Sequence, residues 1–180
     1  MDTPKNLLPK LPQPVVRKTR TTPTERSLQR LDAVVILFDT MATLEKSTLP
    51  AGSTLATLLR RQGEEQVVTT TLPGKNATML VACRIAKDCD RFAQLEHCRR
   101  AAAVATAGKP KRVGVIVLGR DNDEAQVHED AVYAITLAPF QLPKFSAKRR
   151  PAAVFADITL YTESRPDTRR EDAPARGNSL

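Results

Sequence analysis

Aromatic residues make up only 4% of the chain and tryptophan is absent. This argues against a nucleic-acid platform that stacks bases on aromatic rings, and it leaves the core to be built from Ala, Val, Leu and Ile. Cysteine is scarce and odd in number, with Cys83, Cys89 and Cys98 alone. No apolar signal-peptide stretch follows Met1, so a secreted disulfide framework is not indicated and a reduced, cytoplasmic setting is expected. The cysteine spacings match no metal-ligand pattern such as C-x-x-C, and the thiols read as small buried hydrophobes. No apolar run approaches the ~20 residues of a membrane span, so the chain is expected to be soluble with no membrane partner. Also missing are a G-x-S-x-G elbow, an H-E-x-x-H helix and a P-loop, and Lys75 after Gly74 lacks the Walker spacing. The sequence therefore assigns no catalytic residue, no metal ligand and no cofactor to this chain.

What remains is 180 residues, enough for one domain with tails. The net charge of +8 is unevenly spread. Residues 1–30 carry seven Lys and Arg against Asp2 and Glu25, whereas residues 163–180 are balanced. Five of the thirteen prolines fall within the first 23 residues, where fixed φ and missing N–H groups resist regular structure. Residues 1–30 thus read as a basic, proline-rich disordered tail, 31–162 as the folded domain, and 163–180 as a linker. In the tail Arg17, Lys18 and Arg20, and in the loop before the last strand Lys148, Arg149 and Arg150, are candidate phosphate contacts for nucleic acid.

Within the domain the pattern alternates. Ala33 to Phe38 and Val113 to Leu118 are continuous apolar runs of the kind that form strands buried on both faces. Between them lie a helix capped by Ser53 and stopped by Gly63, and a hairpin of Val67–Leu72 and Ala77–Ile85 across Pro73–Asn76. A longer helix follows, from Asp88 or Asp90 to Gly108, with Phe92, Leu95, Cys98, Ala102 and Ala105 on one face. Gly119 then leads into a helix expected to open with an Asp121/Glu124 capping box and to turn Ala131, Val132, Ile135 and Ala138 inward. A last strand runs from Ala152 to Tyr161. The order β-α-β-β-α-β-α-β requires a mixed sheet with helices on both faces.

Ligands in such sheets collect beyond the carboxyl ends of the strands, which singles out Gly119, Arg120 and Asp121 as a candidate ligand-binding turn. The signal is a single glycine followed by acidic residues, so a structural strand-to-helix turn is the stronger reading. His97 and His128 are the two histidines, each mid-helix without a ligand-like partner at i+4, and read as surface or interface residues.

Several of these stretches carry a resemblance. Leu49-Pro50-Ala51-Gly52-Ser53, the hairpin at Pro73 to Ala77, Val113 to Gly119, Ala131-Val132-Tyr133-Ala134-Ile135 running into Phe140-Gln141-Leu142-Pro143-Lys144-Phe145, and Ile158-Thr159-Leu160-Tyr161 together resemble the N-terminal domain of the leucyl (cytosol) aminopeptidase family over residues 31–180. Gly177-Asn178-Ser179-Leu180 is similar to the segment at which family members enter the linker to their peptidase domain. The resemblance implies a macro-like α/β domain without the catalytic centre. It implies that the parent is a hexameric exopeptidase whose two divalent metal ions, zinc or manganese, are held in a C-terminal domain by residues including an Asn-Thr-Asp-Ala-Glu-Gly-Arg string, which does not occur here. The expected role is assembly, substrate access or regulation, with the chain's own peptidase domain and further copies as partners. The alternatives are a nucleic-acid-binding module using the basic tail and, by fold analogy, a nucleotide or ADP-ribose binder at Gly119–Asp121.

Overall fold

The computed structural model describes residues 14–63, 66–120, 122–138 and 157–162. In chain order these form β1 (Val15–Thr19), α1 (Glu25–Leu28), β2 (Ala33–Phe38), α2 (Met41–Lys46), α3 (Gly52–Gln62), β3 (Val68–Leu72), β4 (Thr78–Arg84), α4 (Arg91–Thr106), β5 (Arg112–Leu118), α5 (Glu124–Leu137) and β6 (Asp157–Tyr161). The strands make one sheet in the order β1-β6-β5-β2-β4-β3, in which β3 alone runs antiparallel.

Sequence character decides position in the sheet. Every side chain of β2 is buried, as is the centre of β5, and these two strands pair in register from Ala33 opposite Val113 to Phe38 opposite Leu118. The alternation of a strand then divides the core. Ala33, Val35 and Leu37 pack with α4 and α5, while Val34, Ile36 and Phe38 pack with side chains of α1, α2 and α3. The result is the expected macro-like α/β class: a mixed sheet covered by helices on both faces.

Several details differ from the sequence reading. Residues 15–19, placed by composition in a disordered tail, form the edge strand β1, paired in parallel with β6 from Val15 opposite Asp157 to Thr19 opposite Tyr161. Pro14 lies just before the first rung, where its missing N–H costs no ladder bond, and Val16 packs against the core. Further along the same segment, Thr24 and Ser27 cap α1 reciprocally, the Ser27 amide donating to Thr24 Oγ1 at 3.3 Å and the Thr24 amide to Ser27 Oγ at 2.9 Å, and Leu28 is wholly buried.

Helix α3 starts one residue before Ser53 because Gly52 fits where a β-carbon would lie 3.2 Å from Leu44 O and Ser47 Oγ. Ala51 at φ 63° makes the entry without a side-chain cap. In α5 the N-cap is Asp123 rather than Asp121, without a side-chain cap bond, and it gives its carboxylate to Arg120. In α4 the inward face is Gln94, Cys98, Ala101, Ala102 and Ala105, and Phe92 is 81% exposed. The helix is rotated from the expected apolar face because buried Gln94 bonds both Arg120 and Asp130. The last strand is described from Asp157, and residues 139–156 lie outside the described residues.

No helix among the described residues is long and apolar enough to cross a membrane.

Candidate functional site

Neighbouring strands β2 and β5 send their following helices to opposite faces of the sheet, which opens a crevice beyond their carboxyl ends, the place where open α/β sheets hold ligands. Gly119 lies at its centre with φ 73°, and a β-carbon there would fall 2.2 Å from Asp39 Oδ1. Glycine at 119 is thus what lets β5 end against Asp39. Asp39 is itself buried, accepts the Thr40 amide at 2.7 Å and meets Lys87 Nζ at 3.1 Å. Burial works against its charge but is outweighed by the Thr43 hydroxyl, the Lys87 ammonium and the Thr40 amide, so its carboxyl titrates below the usual range.

Arg120, the second candidate of the turn, is 4% exposed. Its guanidinium donates to Ala86 O at 2.7 Å, Ile85 O at 3.3 Å, Gln94 Oε1 at 2.9 Å and the Asp123 carboxylate. Gln94 passes the link on to Asp130 at 2.7 Å, and Asp130 also meets Arg91 at 3.5 Å. Arg120 therefore braces the β4–α4 connection, α4 and the entry to α5 against one another. Asp121 lies outside the described residues.

Of the candidate nucleic-acid contacts, Arg17 pairs with Asp157 at 3.3 Å across the β1–β6 edge, Lys18 belongs to the same strand, and Arg20 follows it. Lys148, Arg149 and Arg150 lie outside the described residues.

The floor of the crevice adjoins two cavities. One, of about 320 Å³, is lined by Thr43, Lys46, Ser47, Gly119, Arg120 and Glu124 among others. The second, of about 280 Å³, shares Lys46 and Ser47 and extends to Arg20, Thr22, Tyr161 and Thr162. Lys46 and Ser47 went unnoticed in the sequence because nothing local links the end of a six-residue helix to a strand more than seventy positions later.

Glu124 and His128 were also missed as a pair. His128 is buried, its Nδ1 lies 3.8 Å from Glu124 Oε1 one turn earlier, and its Nε2 is enclosed with no partner at hydrogen-bonding geometry. The E-x-x-x-H spacing was the available signal, on the i−4 side rather than i+4. Burial pushes the imidazole down to about 4, with Lys18 acting in the same direction and Glu124 and the Tyr161 backbone opposing it. His97 Nδ1 lies 3.9 Å from Cys83 Sγ, a thiol that burial raises to about 11, so the pair does not make a reactive thiolate. Among the described residues no group of three His, Cys, Asp or Glu side chains is arranged to hold a metal ion.

No protein-family model matches the chain, and no curated protein matches it by sequence. Among solved structures it is similar to a mutant of tomato leucine aminopeptidase, with a TM-score of 0.64 and 12% identity over 95% of this chain. The chain spans 36% of the length of that protein. At this identity the likeness establishes a shared fold.

Proposed function

We propose that the chain is a non-catalytic α/β domain of a leucyl-aminopeptidase-like exopeptidase, acting in assembly, substrate access or regulation. The observation that carries this reading is the fold likeness to the tomato enzyme, which takes in 95% of this chain and about a third of that one. The motif resemblance supports it from the sequence side. Its Leu49–Ser53 stretch makes the positive-φ entry to α3, and its Val113–Gly119 stretch is β5 with the glycine packed on Asp39.

The parent's chemistry belongs elsewhere in this reading. Two-metal hydrolysis needs several carboxylates converging on a pair of ions about 3.5–4 Å apart. Here Asp39 is held by Lys87 and Thr40, Asp123 by Arg120 and Asp130 by Gln94 and Gln126, and no set of three candidate ligands converges among the described residues. These residues do not fit a pair of zinc or manganese ions. The hexamer and the peptidase domain are the partners that the proposal supplies.

The test is release of leucine from a chromogenic leucyl amide by the full chain, with zinc, manganese or no metal added. The expected result is no release above the buffer blank. Metal-dependent turnover abolished by a chelator would overturn the non-catalytic reading.

A further inference from the structure

The two cavities at the carboxyl ends of β5 and β6 meet at Lys46 and Ser47, and Arg20 borders the outer one. Lys46 and Arg20 are exposed, and neither pairs with a carboxylate among the described residues. The acidic groups nearby are engaged otherwise: Glu45 with Arg60, Asp39 with Lys87, and Asp157 with Arg17. Both cations line the outer recess, whose described lining includes no carboxylate, so an anion there meets favourable charge. Thr21, Thr22 and Thr48 line the same recess together with the apolar end of β5, Ile116 to Leu118.

We infer that this crevice binds a small phosphorylated organic molecule, its phosphate held by Lys46 and Arg20 and its body lying over Ile116–Leu118. Two cations match a phosphate monoester dianion better than a single carboxylate, and hydroxyl donors complete the coordination of its oxygens. Together the cavities have the size of an ordinary small-molecule site, and a recess of this kind takes one small ligand rather than a nucleic-acid strand. The inference stands independently of the aminopeptidase-like reading, because it uses only the crevice and its charges.

The experiment follows the backbone amide signals of the full, isotope-labelled chain during titration with inorganic phosphate, glycerol phosphate and acetate at constant ionic strength and pH 7.5. The expected result is saturable shifts confined to Ser47, Leu118, Gly119 and their neighbours, with glycerol phosphate binding more tightly than inorganic phosphate and acetate more weakly than either. Lys46→Gln and Arg20→Gln, both exposed substitutions, each weaken phosphate binding about fivefold or more, the scale expected when one partly solvated charge contact is lost. Arg61→Gln removes the same charge from an exposed position of α3 outside the crevice and leaves binding within about twofold. Absence of saturation in the millimolar range, an equal loss in Arg61→Gln, or acetate binding as tightly as phosphate would each overturn the inference.

Discussion

At Gly119 the chain has no room for a β-carbon. The nearest atom to one is the Asp39 carboxylate oxygen at 2.2 Å, and that carboxylate is itself fixed by Thr40 and Lys87, so it cannot step aside without breaking an ion pair. Adding the strain of φ 73°, Gly119→Ala is expected to cost about 2–4 kcal/mol in urea unfolding. Gly108→Ala, where nothing lies within 4 Å of the new carbon, is expected to be neutral or slightly stabilising. Equal unfolding midpoints for the two variants would contradict the close packing of β5 on Asp39. His128 sets a second residue-scale expectation. It is held neutral in the fold, pushed down to about 4, whereas in the unfolded chain it titrates near its ordinary value of 6.5. The unfolded state therefore binds the extra proton first, so stability is intact above about pH 6.5 and declines as the pH falls towards 4. Thermal unfolding between pH 7 and 5 should show this decline, and His128→Gln should flatten it. An unchanged slope in the variant would mean that other groups carry the acid response. The carboxylates Asp32 and Asp39, both lowered in the fold, lose their contributions only in the more acidic range.

Elements came out of the sequence in proportion to how strongly a local pattern constrained them. The doubly buried runs of β2 and β5, the hairpin at Pro73–Asn76 and the Gly63 stop of α3 each rest on backbone and burial rules that act within a few residues, and the structure reproduces them. Edge strand β1 was illegible because its stability comes from a partner about 140 positions away. A strand with one paired side and three exposed residues shows neither a long apolar run nor strict alternation. The same reason hid the crevice: the turn at Gly119 was visible, but Arg120 turns out to spend its donors on Ile85, Ala86, Gln94 and Asp123, and the cations bordering the cavities come from the β1–α1 loop and the end of α2. If β1 belongs to the domain, deleting residues 1–20 exposes the ladder edge of β6 and uncovers core beneath Val16, and the melting temperature should fall by several degrees, as about 1 kcal/mol or more would require. An unchanged melting temperature would return these residues to the status of a tail.

For the whole molecule, the sheet order and the two core layers make one α/β architecture, with helices α4 and α5 on one face and α1 to α3 on the other, and its fold is shared with the tomato enzyme. Arg120, Gln94 and Asp130 lock α4 to α5, Glu45 and Asp32 pair with Arg60 and Arg112, Asp90 caps α4, and no three such side chains among the described residues share a centre. The central proposal is that such a scaffold serves a peptidase whose catalytic machinery lies in other residues. The most direct test is to isolate the protein from its own cells under native conditions and to identify by mass spectrometry every polypeptide, and every further sequence in the same polypeptide, that remains with it. The account predicts recovery with a peptidase segment carrying Asn-Thr-Asp-Ala-Glu-Gly-Arg, either continuous with Leu180 or stably bound. Recovery of a 19.8 kDa species alone, with no such segment at any stage, would contradict it.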